Sequence, residues 1–534
     1  MANKNLASMG AVSGATLLSR ILGLGREILV AAVFGTSALN SAFVSAFTLP
    51  NLFRRLLGEG ALTAAFIPTM TDVLAHHERP GAFALLNKVA ARLFALTSGL
   101  VVLGMIFFAN AGSVLQLAVR MGVSEDTAQR LLLGADLAVI LFPYLVLVCL
   151  AAVFSAACQV LERFLEPALS PVWLNLAIIG ALAVGSWAAF DPIRRMYVLC
   201  GGVLIGGLLQ MVVPAAVLVR QGWRPRFDFK SDHRVREITG LMAPTVISSA
   251  IYLVNISMSR FIGLSLDDSA TAVLNTSNRV MELPIGLFTA AIATVIFPLI
   301  SRHATRGDWA ALGRDYHNGM RLTLLLNLPA AVGLALLSEP IVRVLFQHGQ
   351  FSAASTALMT PVLAAYALGL PFVSFTSVAL RGFYAVKDTR TPVRAAVLSF
   401  VVNLVFSLVL MRWLAAVGLA WASNLAVIVQ AWYLQTHLSR RMPQLGFGAV
   451  WSSLGKILLA AAVMGGAVWG ANRALLAVAP SLHVYDWLAL LLLIPAAVAI
   501  YFAMAIALHI EGLDQARKLV RRIRDRILQR TAGG

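Results

Sequence analysis

Residues 62–70 read LTAAFIPTM, and residues 293–301 read ATVIFPLIS. Both are apolar stretches with a proline in register, Pro68 and Pro298, at a separation of 298 − 68 = 230. Two more pairs keep nearly that offset. ARLFAL (91–96) aligns with MRLTLL (320–325) through Arg92 and Arg321, at 321 − 92 = 229. FPYLVLV (142–148) aligns with LPFVSFT (370–376) through Pro143 and Pro371, at 371 − 143 = 228. Each pair alone is weak; three at nearly one offset are better than chance. The chain reads as a duplication.

Composition says what is duplicated. The 534 residues are 59% hydrophobic and 12% charged, with a mean hydropathy of +0.82. A soluble domain carries about 25% charged residues, so this chain has too little charge to cover a soluble surface. It reads as an all-α, multi-pass membrane protein. With about 20 apolar residues needed per crossing, fourteen spans are expected: 9–33, 40–70, 88–110, 132–158, 168–188, 197–219, 237–262, 272–300, 321–345, 357–382, 393–411, 415–437, 452–474 and 485–509. The repeat offset covers six spans. An even number gives both halves the same orientation, as in parallel repeats about an axis along the membrane normal with a central site. The expected organisation is therefore a first lobe at 1–222 and a second at 223–442, with two added helices at 443–510 and a basic tail at 511–534.

The net charge of +18 fits basic residues gathered at the cytoplasmic face. They are scattered between apolar runs, and no nucleic-acid partner is expected. One set of alternate loops holds Arg220, Arg224, Arg226, Lys230, Arg381, Lys387, Arg440 and Arg441. In the opposite set, FGTSALN (34–40), GLSLDDSAT (263–271) and QHGQFSAAS (347–355) contain no Lys or Arg, and FDPIRRM (190–196) is a partial exception. The positive-inside rule makes the first set cytoplasmic, and an even span count puts both termini there. ARKLVRRIRDRILQR (516–530) reads as a basic amphipathic helix on the inner leaflet. Cys149, Cys158 and Cys200 lie inside apolar runs as buried small hydrophobes.

The charges inside the spans carry the chemistry. Helix 1 has Arg20, Arg26 and Glu27; helix 2 has Arg54, Arg55 and Glu59; helix 8 has Arg279 and Glu282. An arginine within a bilayer costs about 2.5–3.5 kcal/mol on insertion scales, so these side chains should face a watery interior and have partners. Arg20 and Glu27, seven apart, share a helical stripe; Arg55–Glu59 and Arg279–Glu282 have i,i+4 and i,i+3 spacing. Ion pairs that only stabilise the fold are one reading. Counting favours another: five arginines against three glutamates leave 5 − 3 = +2. Arg54 and Arg55 point about 100° apart, so one partner cannot serve both. An excess of guanidinium suits an anionic ligand, and a diphosphate is the obvious candidate. Pro50, Pro68, Pro143, Pro284, Pro298 and Pro371 fall in or beside the spans and permit kinks. Gly23, Gly25, Gly58 and Gly60 are hinge or close-packing candidates. The chain has no P-loop and no H-E-x-x-H metal motif.

SRILGLGRE (19–27), FVSAFTLPNLFRRLLGEGALTAAFIP (43–68), NRVMELPIGLF (278–288) and LFQHGQF…ALRGFYAVKDTRTPV (345–393) together resemble the MurJ/MviN family, lipid II flippases of the MOP exporter superfamily. The resemblance covers nearly the whole chain. It implies a non-enzymatic carrier in the bacterial inner membrane that moves undecaprenyl-diphosphate-linked peptidoglycan precursor outward by alternating access. It also implies that Arg20, Arg26, Arg54 and Arg279 are cavity arginines engaging the diphosphate and head group, with Arg55 a second cationic contact and Glu59 an acidic partner. Glu27 and Glu282 would be ion-pairing or gating groups, and the last two helices would supply a groove for the lipid tail. Ser41, Asn40 and Asn278 stand where some relatives are acidic. A sodium site in one relative maps near Asn255, Asn403 and Ser407, which offer neutral oxygens and no carboxylate; hard cations favour carboxylates. No organic cofactor is expected. A sodium or chloride ion is the one inorganic species the resemblance leaves room for, with membrane potential as the driver. Lipid II and membrane lipids are the expected partners of a monomer that could associate with the cell-wall synthesis machinery. Alternatives are an exporter of other polyprenyl-linked oligosaccharides or of drugs, a membrane enzyme of lipid-diphosphate chemistry, and a scaffold. A drug exporter would carry acidic groups, an enzyme would need a catalytic cluster, and a scaffold needs no charged cavity.

Overall fold

The computed structural model describes residues 2–53, 63–230, 232–478 and 483–511. Among these the secondary structure is helical throughout, with no strand. In chain order the helices are α1 (Ala2–Phe34), α2 (Ala38–Phe53), α3 (Thr63–Ala109), α4 (Ala111–Arg120), α5 (Glu125–Leu141), α6 (Tyr144–Val160), α7 (Leu165–Trp187), α8 (Pro192–Arg220) and α9 (His233–Leu266). They continue as α10 (Ala270–Pro284), a π-helical turn Ile285–Thr289, α11 (Ala290–Arg306), α12 (Trp309–Leu336), α13 (Ser338–Phe346), α14 (Ala353–Ala385), α15 (Arg390–Arg441), α16 (Gly448–Val478) and α17 (His483–Ala507). Eight described helices are long and apolar enough to cross a membrane, or ten if each of two bent pairs is one span.

Several expected spans have different limits. The stretch between spans 2 and 3 is helical: α3 starts at Thr63 and runs on, reversing only at Glu78 (φ 54°, ψ −167°). The ninth span starts earlier and stops at Leu336, and 338–346 forms its own short helix. Spans 11 and 12 are the two arms of α15, which folds back at Ala415 (φ 47°, ψ −130°). Gly418 makes that turn possible, since a Cβ there would overlap the Leu410 carbonyl oxygen. Of the prolines, Pro143 sits at a 45° bend between α5 and α6, and Pro284 precedes the π turn at a 42° bend. Pro68, Pro298 and Pro371 lie inside continuing helices. The basic tail 516–530 falls outside the described residues.

The chain forms two compact units, one of residues 1–272 with 348–352, the other of 273–347 with 353–534. By packing, α9 belongs with the first unit, and the boundary in sequence falls within α10. In the first unit α1 packs on α7, α7 on α8, and α6 on both α8 and α3. Its core holds Phe66, Leu86, Leu141, Tyr144 and Val153, together with all three cysteines, each buried. In the second unit α12 packs on α14 and α16, and α16 on α17. Its core holds Tyr316, Met320, Phe383, Leu438 and Tyr501. Arg343 of α13 anchors the last helix by donating to Asp486 at 2.9 and 3.2 Å.

The duplication is visible in how each unit holds the chain leaving its sixth helix. In the first unit Lys88 of α3 donates to Asp232 at 2.6 Å, and Arg92 donates to the Phe229 carbonyl at 2.7 Å. In the second, His317 of α12 bonds the Gly446 carbonyl at 2.8 Å in the same way, whereas Arg321 pairs at 2.8 Å with Glu511, beyond α17. The positions correspond at 317 − 88 = 229 and 321 − 92 = 229. Burial alone would raise the Asp232 carboxyl, but the Lys88 bond and the Val235 N–H outweigh it and hold its pKa below the ordinary 3.8. A lowered carboxylate pKa adds stability that is present above the unfolded value and disappears as pH falls through the folded one. The wild type should therefore melt above Lys88→Met at pH 5–8 (roughly 1 kcal/mol or less for a partly exposed pair). The lead should close below pH 3.8; thermal melts across pH check it.

Candidate functional site

On α1 the sequence predicts a Glu27 partner one helical stripe away, at Arg20. The structure gives another arrangement. Glu27 is ion-paired with its neighbour Arg26, and the two side chains are only 11% and 12% exposed. Adjacent helical residues do not face each other, so this pair needs a third group to turn it. Asn175 of α7, itself buried, accepts from Arg26 Nη1 at 3.1 Å and donates through Nδ2 to the Ser19 carbonyl at 3.2 Å. Gly23 lies 3.6 Å, by its would-be Cβ, from that amide, and Gly25 faces open space. Arg20 is exposed, with no ion-pair or hydrogen-bond partner among the described residues.

Arg279 and Glu282 form the expected i,i+3 pair at 3.0 Å on α10, in the second unit. Arg54, Arg55 and Glu59 lie outside the described residues. Asn403 and Ser407 are buried one turn apart on α15, and Ser423 donates to Asn403 Oδ1 at 3.4 Å. Asn255 is half-buried on α9, in the first unit. Among the described residues no three His, Cys, Asp or Glu side chains gather as a metal site.

A second constellation joins the three loops that lack Lys and Arg, through residues that all belong to the first unit. Ser41 is fully buried; its Oγ donates to the Asp268 carbonyl at 2.6 Å and accepts from the Ala272 N–H at 3.2 Å. The Gln350 N–H donates to the Ala32 carbonyl at 2.7 Å. Gly35 and Gly349, both at φ +58°, let the two backbones cross: a Cβ on Gly35 would sit 2.6 Å from the Gln350 carbonyl oxygen, and one on Gly349 would overlap that of Ala32. Arg130 of α5 adds Nη1 to Asp268 at 3.3 Å and Nη2 to the Ser265 carbonyl at 3.4 Å. A neutral hydroxyl thus joins these loops. The Arg-rich connections meet elsewhere in the unit, with Asn87 and Lys88 holding 223–232. In the exceptional loop Arg194 pairs locally with Asp191 at 3.3 Å.

Asn175 was not among the expected site residues, though a lone amide in an apolar span is a signal of interior polarity. Arg130 gave no signal beyond its place at the start of a span. What the first unit offers chemically is a nearly buried guanidinium held in one orientation, with a second, uncommitted one six residues before it.

Against known proteins, the family profile described as "Lipid II flippase MurJ" matches residues 30–505. A relative from Rhizobium meliloti (strain 1021), described as "Probable lipid II flippase MurJ", is 34% identical, covering 96% of this chain and 95% of its own. A solved structure titled "Lipid II flippase MurJ, inward closed conformation" superposes with a TM-score of 0.75 at 24% identity, covering 92% of this chain and 97% of that one. An inward-facing MATE transporter of the MOP superfamily shares the fold at TM-score 0.64 and 14% identity, covering 82% and 98%. A profile spanning most of the sequence, a relative matched end to end and a common helical architecture agree: the chain belongs to the lipid II flippase MurJ family.

Proposed function

We propose that this chain carries lipid II from the inner to the outer leaflet of the cytoplasmic membrane by alternating access, as a transporter with both termini cytoplasmic. The relatives' names supply the substrate; the chemistry of this chain supplies how it would be held. The carrying observation is Arg26, nearly buried in an apolar helix and aimed by Glu27 and Asn175. Arginine matches a phosphate with two parallel charge-assisted bonds. Arg20, Arg26, Arg54, Arg55 and Arg279 are assigned to the diphosphate and head group, and Glu27, Glu59 and Glu282 keep the empty carrier from holding five bare cations. Membrane potential, worth about 2.3 kcal/mol per charge per 100 mV, is the assigned driver. The neutral oxygens of Asn255, Asn403 and Ser407 make a sodium site the weaker choice.

Export of other polyprenyl-linked oligosaccharides by the same arginines is the second reading, favoured by the MATE-like fold. Cationic drugs fit poorly beside an arginine excess. The test is replacement of the resident flippase in depleted cells. Growth is expected with the wild-type chain and is expected to fail with Arg54→Ala or Arg279→Ala, at unchanged membrane levels. Full growth of either variant would remove the diphosphate assignment, and failure of the wild type would favour another polyprenyl cargo.

A further inference from the structure

The connection from α8 to α9 is an extended strap, and it is fastened rather than slack. Asn87 Oδ1 accepts from Trp223 Nε1 at 2.8 Å and from the Arg226 N–H at 3.2 Å, while its Nδ2 donates to the Arg224 carbonyl at 3.0 Å. Arg92 and Lys88 fix Phe229 and Asp232, as described above. So pinned, the strap turns two phenylalanines outward. Phe227 is 73% exposed and Phe229 57%, with their rings stacked at 6.4 Å and 9°. The inner neighbour of Phe227 is Phe94 of α3, at 5.5 Å. From Phe94 the exposed apolar surface of α3 continues through Leu96, Val102 and Leu103. The aromatic pair therefore sits at the rim of a hydrocarbon-facing surface.

Charge surrounds it. Arg224, Arg226 and Lys230 are exposed, and none pairs with a carboxylate among the described residues. Asp232 is taken by Lys88, and Asp228 is the other acid of the strap. With Arg92 bonded to a neutral carbonyl, the local balance is 4 − 1 = +3. The corresponding connection of the second unit, residues 442–447, reads MPQLGF and has no basic residue. The charge is thus a property of this strap and not of the repeat.

We infer that residues 224–230 form a binding site for anionic phospholipid, with Phe227 and Phe229 inserted at the acyl boundary and Arg224, Arg226 and Lys230 on the headgroup phosphate. Aromatic rings at headgroup level beside cations facing an anionic leaflet are what such an interface selects. The site is separate from the arginines assigned to the cargo and does not depend on what the cargo is.

The test uses the purified full chain in detergent, titrated with phosphatidylglycerol, phosphatidylcholine or inorganic phosphate, with bound lipid read by native mass spectrometry. The wild type is expected to retain phosphatidylglycerol well above phosphatidylcholine. The triple variant Arg224→Gln, Arg226→Gln, Lys230→Gln should lose that retention about a hundredfold, at about fivefold per charge, with its melting temperature in lipid-free detergent unchanged. Phe227→Ser with Phe229→Ser should weaken both lipids. Equal phosphatidylglycerol retention by the triple variant overturns the site. So does equal binding of the two lipids by the wild type, or displacement of phosphatidylglycerol by millimolar inorganic phosphate.

Discussion

The double variant Arg26→Gln with Glu27→Gln is expected to fold and insert like the wild type and to lose transport by about a hundredfold. The single change Arg26→Gln cannot separate the roles of this pair. Removing one partner of a nearly buried ion pair costs up to about 3–5 kcal/mol, because the other charge stays largely desolvated. Replacing both by amides of similar shape removes both charges, and glutamines can still bond each other and Asn175. Stability should therefore recover to near the wild-type melting temperature. Transport should not, since a charge-assisted bond to a phosphate is worth about 1.5–3 kcal/mol and an amide does not replace it. If the double variant supports growth of flippase-depleted cells, the pair is a structural clip and the cargo is held elsewhere. Arg20→Ala is a cleaner companion, because Arg20 is exposed and has no described partner to disturb.

Gly349→Ala is expected to prevent closure of the loop face and to abolish growth support. Its φ of +58° disfavours an L side chain by about 1–2 kcal/mol. The new Cβ would meet the Ala32 backbone oxygen, which has no rotamer by which to move aside. The Gln350 to Ala32 hydrogen bond would go too, for about 1 kcal/mol. Together these disfavour the joined arrangement by about 3 kcal/mol, roughly a hundredfold in population. Hydrogen exchange at residues 348–352 should quicken by that factor, and Gly35→Ala, on the other side of the crossing, should do the same. Unchanged exchange in both variants would mean that the glycines are not needed for closure.

The architecture was legible because its causes are periodic. Apolar runs, alternate basic loops and the offset near 229 each repeat along the chain, and the clasp at Lys88/His317 follows that offset. Arg279–Glu282 was legible for the same reason, since spacing on one helix decides it. The Arg26–Glu27 geometry was not. Its deciding partner, Asn175, is 149 residues away, and spacing within α1 points to the wrong arginine. Nor could the sequence reveal that Ser41 joins the carbonyl of one turn to the amide of the next helix. That contact joins a hydroxyl to backbone atoms that only tertiary packing brings together. Helix limits failed where polar residues continue a helix beyond the apolar run, as on both sides of Glu78, and where a long apolar run is broken, as at Leu336.

One helix links two of these features. The first turn of α10 bears Ala272, gripped by Ser41 through its N–H, and 279 − 272 = 7 residues on, about 10 Å along the axis, comes Arg279. Between them runs uninterrupted helix; only after Pro284 does the π turn break its stiffness. With no flexible joint between them, Ala272 and Arg279 share one rigid stretch of helix, so neither can turn about its axis without the other.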